Sequence, residues 1–371
     1  MVTFVKMCSY GTCAVAAQRK TAPFMLNFLL APAAALYKVG IMLRNSLFDK
    51  GLLKSERFPI PIICIGNITV GGTGKTPMAE LVIDYMSQMH NVALLSRGYG
   101  RRTKGYREVT VDAHYRDVGD EPLQIKRKFP ETVVVVCEKR AEGIRRIQAE
   151  HPEIDLIIMD DGFQHRRVEA KINIVMVDAT RPVQYDRMLP LGTLRDTLSS
   201  LHRAHYFVVT KCPATMTPLE RRLLHKTLVQ YAYQRIYYTR FESFSPQPIF
   251  PAEAQHEPLG ADRPVIALSG IGNPKPFLDT LRAQFKLVDA VTFEDHHVYR
   301  IGDMRRMAAL LKRHPGAVIV TTEKDAVKML RPDRIPAEVR SALYYQPINI
   351  SFIEDSAADF LQKLEKDVRK D

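Results

Sequence analysis

Lys75 and Thr76 follow directly on Gly71-Gly72-Thr73-Gly74, so an ammonium and a hydroxyl stand at the end of a turn containing three glycines. A bound polyphosphate calls for this chemistry. Successive backbone N–H groups surround the anion, the lysine reaches its outer phosphates, and the hydroxyl serves the accompanying Mg2+. The common G-x-x-x-x-G-K-[ST] spacing puts its first glycine at position 69, where this chain has Thr69, followed by Val70. Gly71, Gly72 and Gly74 still permit a tight turn. Residues 69–76 are therefore expected to hold a nucleotide.

The next candidates are acidic. IDLIIMDDGFQHRR, residues 154–167, runs from an apolar strand into Asp160 and Asp161, with Gln164 and His165 close behind. In P-loop proteins an aspartate after such a strand serves the Mg2+ shell; alone, Asp-Asp-Gly reads equally as a surface turn. Coupled to residues 71–76, Thr76, Asp160, Asp161 and Gln164 become the expected metal set. Asp120 in VGDEP and His296 in FEDHH form a carboxylate–imidazole combination able to take a hydroxyl proton. Spacing alone does not separate His296 from His297, nor either role from a Gly-Asp turn and a surface histidine. Arg97, Arg101, Arg102, Arg140, Arg166, Arg167 and Arg195 offer forks that suit phosphate oxygens. Most exposed arginines are only solvated charges.

These residues need elements to position them. Apolar runs at Ile62–Gly66, Val92–Ser96, Thr132–Cys137, Leu156–Asp160, Ile172–Asp178 and Tyr206–Thr210 read as strands, with helical patterns at Lys75–Met89 and Lys139–His151. Their continuous Val/Ile/Leu character predicts a parallel sheet buried on both faces. TPLE at 217–220 is a helix-capping box with proline at the first helical position. A second αβ series begins at PVIALSGIG (264–272) and includes Ala317–Thr321. TTEKDAVK (321–328) opens a helix, where Lys324 and Asp325 either contact nucleotide or cap the helix. The expected division is 1–45, an N-terminal extension with an apolar helix; 46–225, a P-loop α/β domain; 226–263, a linker with strands; and 264–371, a second α/β domain with a C-terminal helix. The fold class is α/β, P-loop NTPase-like, with two α/β sandwich domains.

At 371 residues with 46% hydrophobic and 25% charged side chains, the chain can bury two ordinary cores. A net charge of +12 favours acidic partners: an anionic membrane, a phosphorylated substrate or nucleic acid. With no basic block beside aromatic positions and no tryptophan, nucleic acid is not expected. Cys8, Cys13, Cys64, Cys137 and Cys212 form no C-x-x-C pair, which argues against zinc or a disulfide framework. Residues 22–44, APFMLNFLLAPAAALYKVGIMLR, have about the length of a membrane helix, interrupted by Asn27, Pro32 and Lys38. They are expected to enter or lie on a membrane, or else to pack on the core. Met25 is an alternative start.

GNITVGGTGKTP, SRGYGRR, VGDEP, DDGFQHRR, LPLGTLRD, SGIGNPKPF, FEDHHVY and TTEKDAVK occur in this order. With the apolar N-terminal helix, they resemble the tetraacyldisaccharide 4'-kinase family of lipid A biosynthesis, from about residue 25 to about 355. The resemblance implies ATP with Mg2+ and phosphorylation of the 4'-hydroxyl of a tetraacyldisaccharide 1-phosphate lipid A precursor to give lipid IVA. It places the protein at the cytoplasmic face of the inner membrane, against its lipids. Asp120, His296 and Lys75 fall on the family's catalytic positions, and Arg195 on its Arg-acidic pair near the nucleotide, with Asp196 in place of the commoner Glu. Arg97, Arg101, Arg102, Arg140 and Asn273 are expected at the substrate, some of the arginines at ATP. VGGTGKT is also similar to the K-G-G-x-G-K-T loop of partitioning and metal-delivery ATPases, but Val70 stands where those carry lysine. A P-loop switch or delivery ATPase and a cytosolic small-molecule kinase are the alternatives.

Overall fold

The computed structural model describes residues 24–253 and 259–370. Cys8 and Cys13 lie outside these residues; Cys64, Cys137 and Cys212 are buried and free. The described residues open with α1 (Phe24–Asp49), then β1 (Ile62–Gly66), α2 (Lys75–Met86), β2 (Val92–Ser96), β3 (Arg107–Glu108), α3 (Tyr115–Val118), α4 (Asp120–Lys128), β4 (Val133–Val136), α5 (Arg140–Glu150), β5 (Leu156–Asp160) and β6 (Ile172–Asp178). They continue through β7 (Tyr206–Thr210), α6 (Pro218–Leu228), β8 (Arg235–Ser243), β9 (Gln247–Pro248), β10 (Pro264–Ser269), α7 (Lys275–Gln284), β11 (Lys286–Thr292) and α8 (Ile301–Arg313). They end with β12 (Val318–Thr322), α9 (Glu323–Ala326), α10 (Ala337–Arg340), β13 (Leu343–Gln346), β14 (Ile348–Phe352) and α11 (Ala357–Arg369).

Two sheets organise the described residues. The larger has nine strands in the order β14-β8-β7-β6-β1-β5-β2-β4-β3, and its interior is parallel. Because strand side chains alternate, β1 sends Ile63 and Ile65 into one core and Ile62 and Cys64 into the other. The first core is covered by α2, α4 and α11, the second by α5 with part of α1 and α6. The expected continuous apolar strands are thus buried on both faces. The smaller sheet, β11-β10-β12-β13-β9, is parallel except at β9, with its own two cores.

The expected domain limits are corrected at the end of the chain. Residues 264–371 do not form one unit, since β14 leaves the smaller sheet and pairs antiparallel with β8 at the edge of the larger one. Likewise β8, within the expected linker with strands, is a full strand of the larger sheet. The physical reason lies in α11, whose Phe360, Leu361, Leu364 and Val368 make a buried stripe over that sheet. Tyr206 and Tyr237 meet Phe360 edge-on beneath it.

Candidate active site

The phosphate loop leaves β1 at Asn67 and ends where α2 begins. Gly71 (φ +99°) and Gly74 (φ +88°) adopt left-handed backbone, and a Cβ on Gly74 would come within 2.6 Å of the Phe241 ring. Position 69 needs no glycine. Thr69 forms a bridge with Leu194, and the Val70 N–H donates to the Thr193 carbonyl at 2.8 Å. Asn67 Nδ2 donates to Thr73 Oγ1 at 2.7 Å, and Thr210 Oγ1 donates to the Thr73 carbonyl at 2.9 Å. The turn is thus held from outside, at the start of α2.

Sequence reasoning missed one part of this frame. Asp178, at the end of β6, accepts from Lys211 Nζ at 2.7 Å and Arg181 Nε at 3.1 Å. Those cations in turn donate to loop carbonyls, Lys211 to Gly72 at 2.6 Å and Arg181 to Val70 at 3.3 Å. The available signal was their position after strands β6 and β7, at the end of the sheet where ligands bind.

The adjacent carboxylates are in opposite situations. Asp160 ends β5 inside the sheet, accepting on Oδ2 from Ser96 Oγ at 3.2 Å while Oδ1 has no partner. Burial, then the charges of Glu121 and Asp161, push its carboxyl up to about 7 against the pull of Lys75 and Arg140. Asp161, with left-handed backbone at φ +48°, lies 3.4 Å from Lys75 Nζ and receives both guanidinium nitrogens of Arg195. Burial opposes its charge, but Arg195 and Lys75 outweigh it and hold Asp161 well below the usual carboxylate range. Gln164 donates to the Asn67 carbonyl at 2.8 Å, beside the loop stem. Its neighbour His165 is pushed down to about 4 by burial and by Arg140 and Arg97.

Asp120 begins α4 after Gly119, which has φ +97°. Across the boundary between the two sheets, His296 Nδ1 stands 3.4 Å from Asp120 Oδ2, and Lys328 Nζ lies 3.9 Å from the same oxygen. Burial raises the Asp120 pKa, yet the His296 hydrogen bond and the Lys324 and Lys328 charges leave it below the ordinary value. His296 has φ +60° and sits 5.4 Å, centroid to centroid, from Tyr99. His297 instead stacks on Phe293 at 3.9 Å and pairs with Asp303 at 3.1 Å. The ambiguity between the two histidines thus has a geometric answer: His296 faces Asp120.

The arginines divide. Arg97 and Arg102 are exposed at the end of β2. Arg101 is buried against Glu138 and the Gly105 carbonyl, and Arg140 against the Cys137 and Asp160 carbonyls. In this arrangement these two position a turn and the β5 end, rather than presenting a fork to substrate as expected. Asp196 is buried with Asn45, Arg203 and the Thr197 N–H as donors, so it ties α1 to the site. Arg44 is spent on the Gln164 carbonyl at 2.7 Å. Asn273, on the exposed loop after β10, accepts from the Lys275 N–H at 3.3 Å. Lys324 pairs with Glu121 at 3.4 Å across the boundary, while Thr322 caps α9, its Oγ1 accepting from the Asp325 N–H at 3.2 Å and donating to the Asp325 carboxylate at 2.8 Å. Of the two readings of that motif, the helix cap is seen, on Thr322 with Asp325 as its partner.

A family profile described as tetraacyldisaccharide-1-P 4'-kinase matches residues 26–368. The chain belongs to this family. A tetraacyldisaccharide 4'-kinase from Porphyromonas gingivalis (strain W83) is 38% identical over 346 residues, covering 91% of this chain and 96% of the relative. One from Parabacteroides distasonis is 37% identical over 349 residues, covering 92% and 95%. The crystal structure of LpxK from Aquifex aeolicus in complex with ATP superposes with a TM-score of 0.71 at 26% identity, covering 93% of this chain and 100% of that one. The match to that structure runs over almost all of this chain.

Proposed function

We propose that this protein transfers the γ-phosphoryl group of ATP to the 4'-hydroxyl of a tetraacyldisaccharide 1-phosphate, giving lipid IVA. The observation that supports it most is the meeting of two parts: a phosphate loop with its paired carboxylates on the larger sheet, and His296 brought from the smaller one onto Asp120. A switch or delivery ATPase has no use for a carboxylate–imidazole pair that can take a hydroxyl proton.

The residues fit both groups that this reaction needs. The cradle at 71–76 suits the phosphates of ATP, and the unpartnered, buried Oδ1 of Asp160 with the Thr76 hydroxyl suits Mg2+. When bound, Mg2+ would neutralise charge on the phosphate oxygens. The chain's own contributions are positional and protonic. Lys75, now 3.4 Å from Asp161, is placed for the outer phosphates, and Arg195 with Asn67 holds Asp161 in line. The sugar oxygen attacks the γ-phosphorus, the bond to the β–γ bridging oxygen breaks, and ADP leaves. The hydroxyl proton passes to the Asp120–His296 pair: the carboxylate, kept ionised, orients the imidazole through Nδ1. Exposed Arg97 and Arg102 are open to an anionic acceptor.

Membrane contact rests on α1. Among the described residues no helix is long and apolar enough to cross a membrane. Leu36, Val39, Met42 and Leu43 nevertheless stand exposed along α1, while Tyr37 and Asn45 dock it on the residues beside Arg195. A helix lying on the cytoplasmic face of the inner membrane, with the site opening beside it, fits an acyl-chain-bearing acceptor.

The test is transfer of label from γ-labelled ATP to a tetraacyldisaccharide 1-phosphate, with lipid product separated from free phosphate. Label in the lipid supports the reading, whereas release only as inorganic phosphate sinks it in favour of an ATPase. Lys75→Ala should lower kcat by about 10²–10³-fold, the usual cost of a lost transition-state charge contact. Near-normal turnover would overturn the phosphate-loop assignment.

A further inference from the structure

A second pocket, of about 230 Å3, opens at the boundary between the two sheets. One wall comes from the larger unit, through His114 and Arg116; the other comes from the smaller, through Arg300, Lys328, Arg331 and Arg334. Lys328 is almost wholly buried, 2.9 Å from Asp325, and connects this pocket to Asp120. None of these six residues belongs to the phosphate loop or its carboxylates.

The charge of the pocket is unbalanced. Arg331 pairs with Asp333 at 3.1 Å, and Arg334 shares that single carboxylate at 4.0 Å. Among the described residues no carboxylate lies within ion-pair distance of the Arg116 or Arg300 guanidinium. The Arg116 Nε donates to Tyr115 Oη at 3.2 Å, and the Arg300 contact with Asp303 uses its backbone N–H. His114 adds no compensating charge, since its Nδ1 accepts from the Arg116 N–H at 3.1 Å. Four guanidinium groups thus ring a concave space with one shared carboxylate among them. Planar forks in that setting match phosphate oxygens two at a time. The space has room for several waters or for a small anion.

We infer that this pocket is a binding site for a small, soluble phosphorylated anion, separate from the ATP cradle and built jointly by the two units. Its walls belong to different sheets, so occupancy is linked to the same approach that brings His296 onto Asp120.

Pyrophosphate is a suitable probe, titrated calorimetrically into the full-length protein with ADP saturating the phosphate loop. Binding of one pyrophosphate per chain is expected, and it should persist with ADP present. Arg116→Gln combined with Arg334→Gln should weaken it at least tenfold, while ADP affinity and the melting temperature of the ligand-free protein stay as in the wild type. Each single variant should give an intermediate loss, which serves if the pair folds poorly. Displacement of pyrophosphate by ADP, unchanged affinity in the double variant, or an equal heat signal from chloride at matched ionic strength would each overturn the assignment.

Discussion

The two units hold their functional residues by different means. In the larger one, the site grows out of strand ends that are buried on both faces: Asp160 is continuous with β5, and the loop leaves β1 and enters α2. In the smaller one, β11 is half exposed and the contribution comes from a loop, where His296 takes left-handed backbone at φ +60°. The larger unit grips its charges within itself, as Lys75–Asp161–Arg195 and Asp178–Lys211 show. The smaller unit reaches across instead, through Lys324–Glu121, Lys328–Asp120 and His296–Asp120. In the proposed reaction, phosphate binding is therefore a property of one sheet, whereas proton removal belongs to the boundary. Apolar burial fixes the first; polar contacts, individually worth little where water reaches them, fix the second.

The largest effect should come from breaking the boundary. Asp120→Ala and His296→Ala are each expected to cost about 10²–10⁴-fold in kcat, the range for general acid–base groups. The double variant should be little worse than either single one, because members of a unit are not additive. ATP binding, a property of the larger unit alone, should survive in all three. Multiplicative losses would mean that the two side chains act separately. A defect of the same size in His297→Ala would contradict its stacking on Phe293.

A smaller effect should follow from removing residues 1–43. Each buried CH2 contributes roughly 0.8 kcal/mol to membrane binding, and the exposed Leu36, Val39, Met42 and Leu43 lie within the deletion. Deletion should release more protein from membranes than high salt does, since salt screens only the charge contribution. Fractionation at low and high ionic strength reads this directly. Full-length protein that washes off with salt alone would favour α1 as a purely packed helix.

The smallest effect concerns the strap that returns the chain to the larger sheet. Asp367 on α11 accepts from Tyr206 Oη at 2.6 Å and from Arg235 at 2.7 Å. Against the burial that would raise it, those bonds and Lys370 hold its carboxyl down to about 2. With a folded pKa below an unfolded value of about 3.9, its stabilisation is present above the unfolded pKa. It is lost as pH falls from about 4 through about 2. Asp367→Asn should lower the melting temperature by a few degrees or less at neutral pH and flatten its fall across that window. An unchanged profile would mean that the contact adds nothing.

The sequence by itself determined five central strands of the larger sheet residue by residue. Ile62–Gly66, Val92–Ser96, Leu156–Asp160, Ile172–Asp178 and Tyr206–Thr210 are strands at the limits that their apolar runs predict. The capping box at Thr217–Glu220 is present as written. Such signals are local, because side-chain periodicity and capping chemistry act within a few residues of one another. Only the tertiary structure decided that Thr69 can replace a glycine, since its extended bridge to Leu194 is a contact across more than a hundred residues. The same holds for the burial of Arg101 and Arg140, the choice of His296 over His297, and the return of β14 and α11 to the first sheet. Nothing in the neighbourhood of those residues encodes which partner they meet. That is set by how two sheets, each folded around its own cores, come to share a boundary.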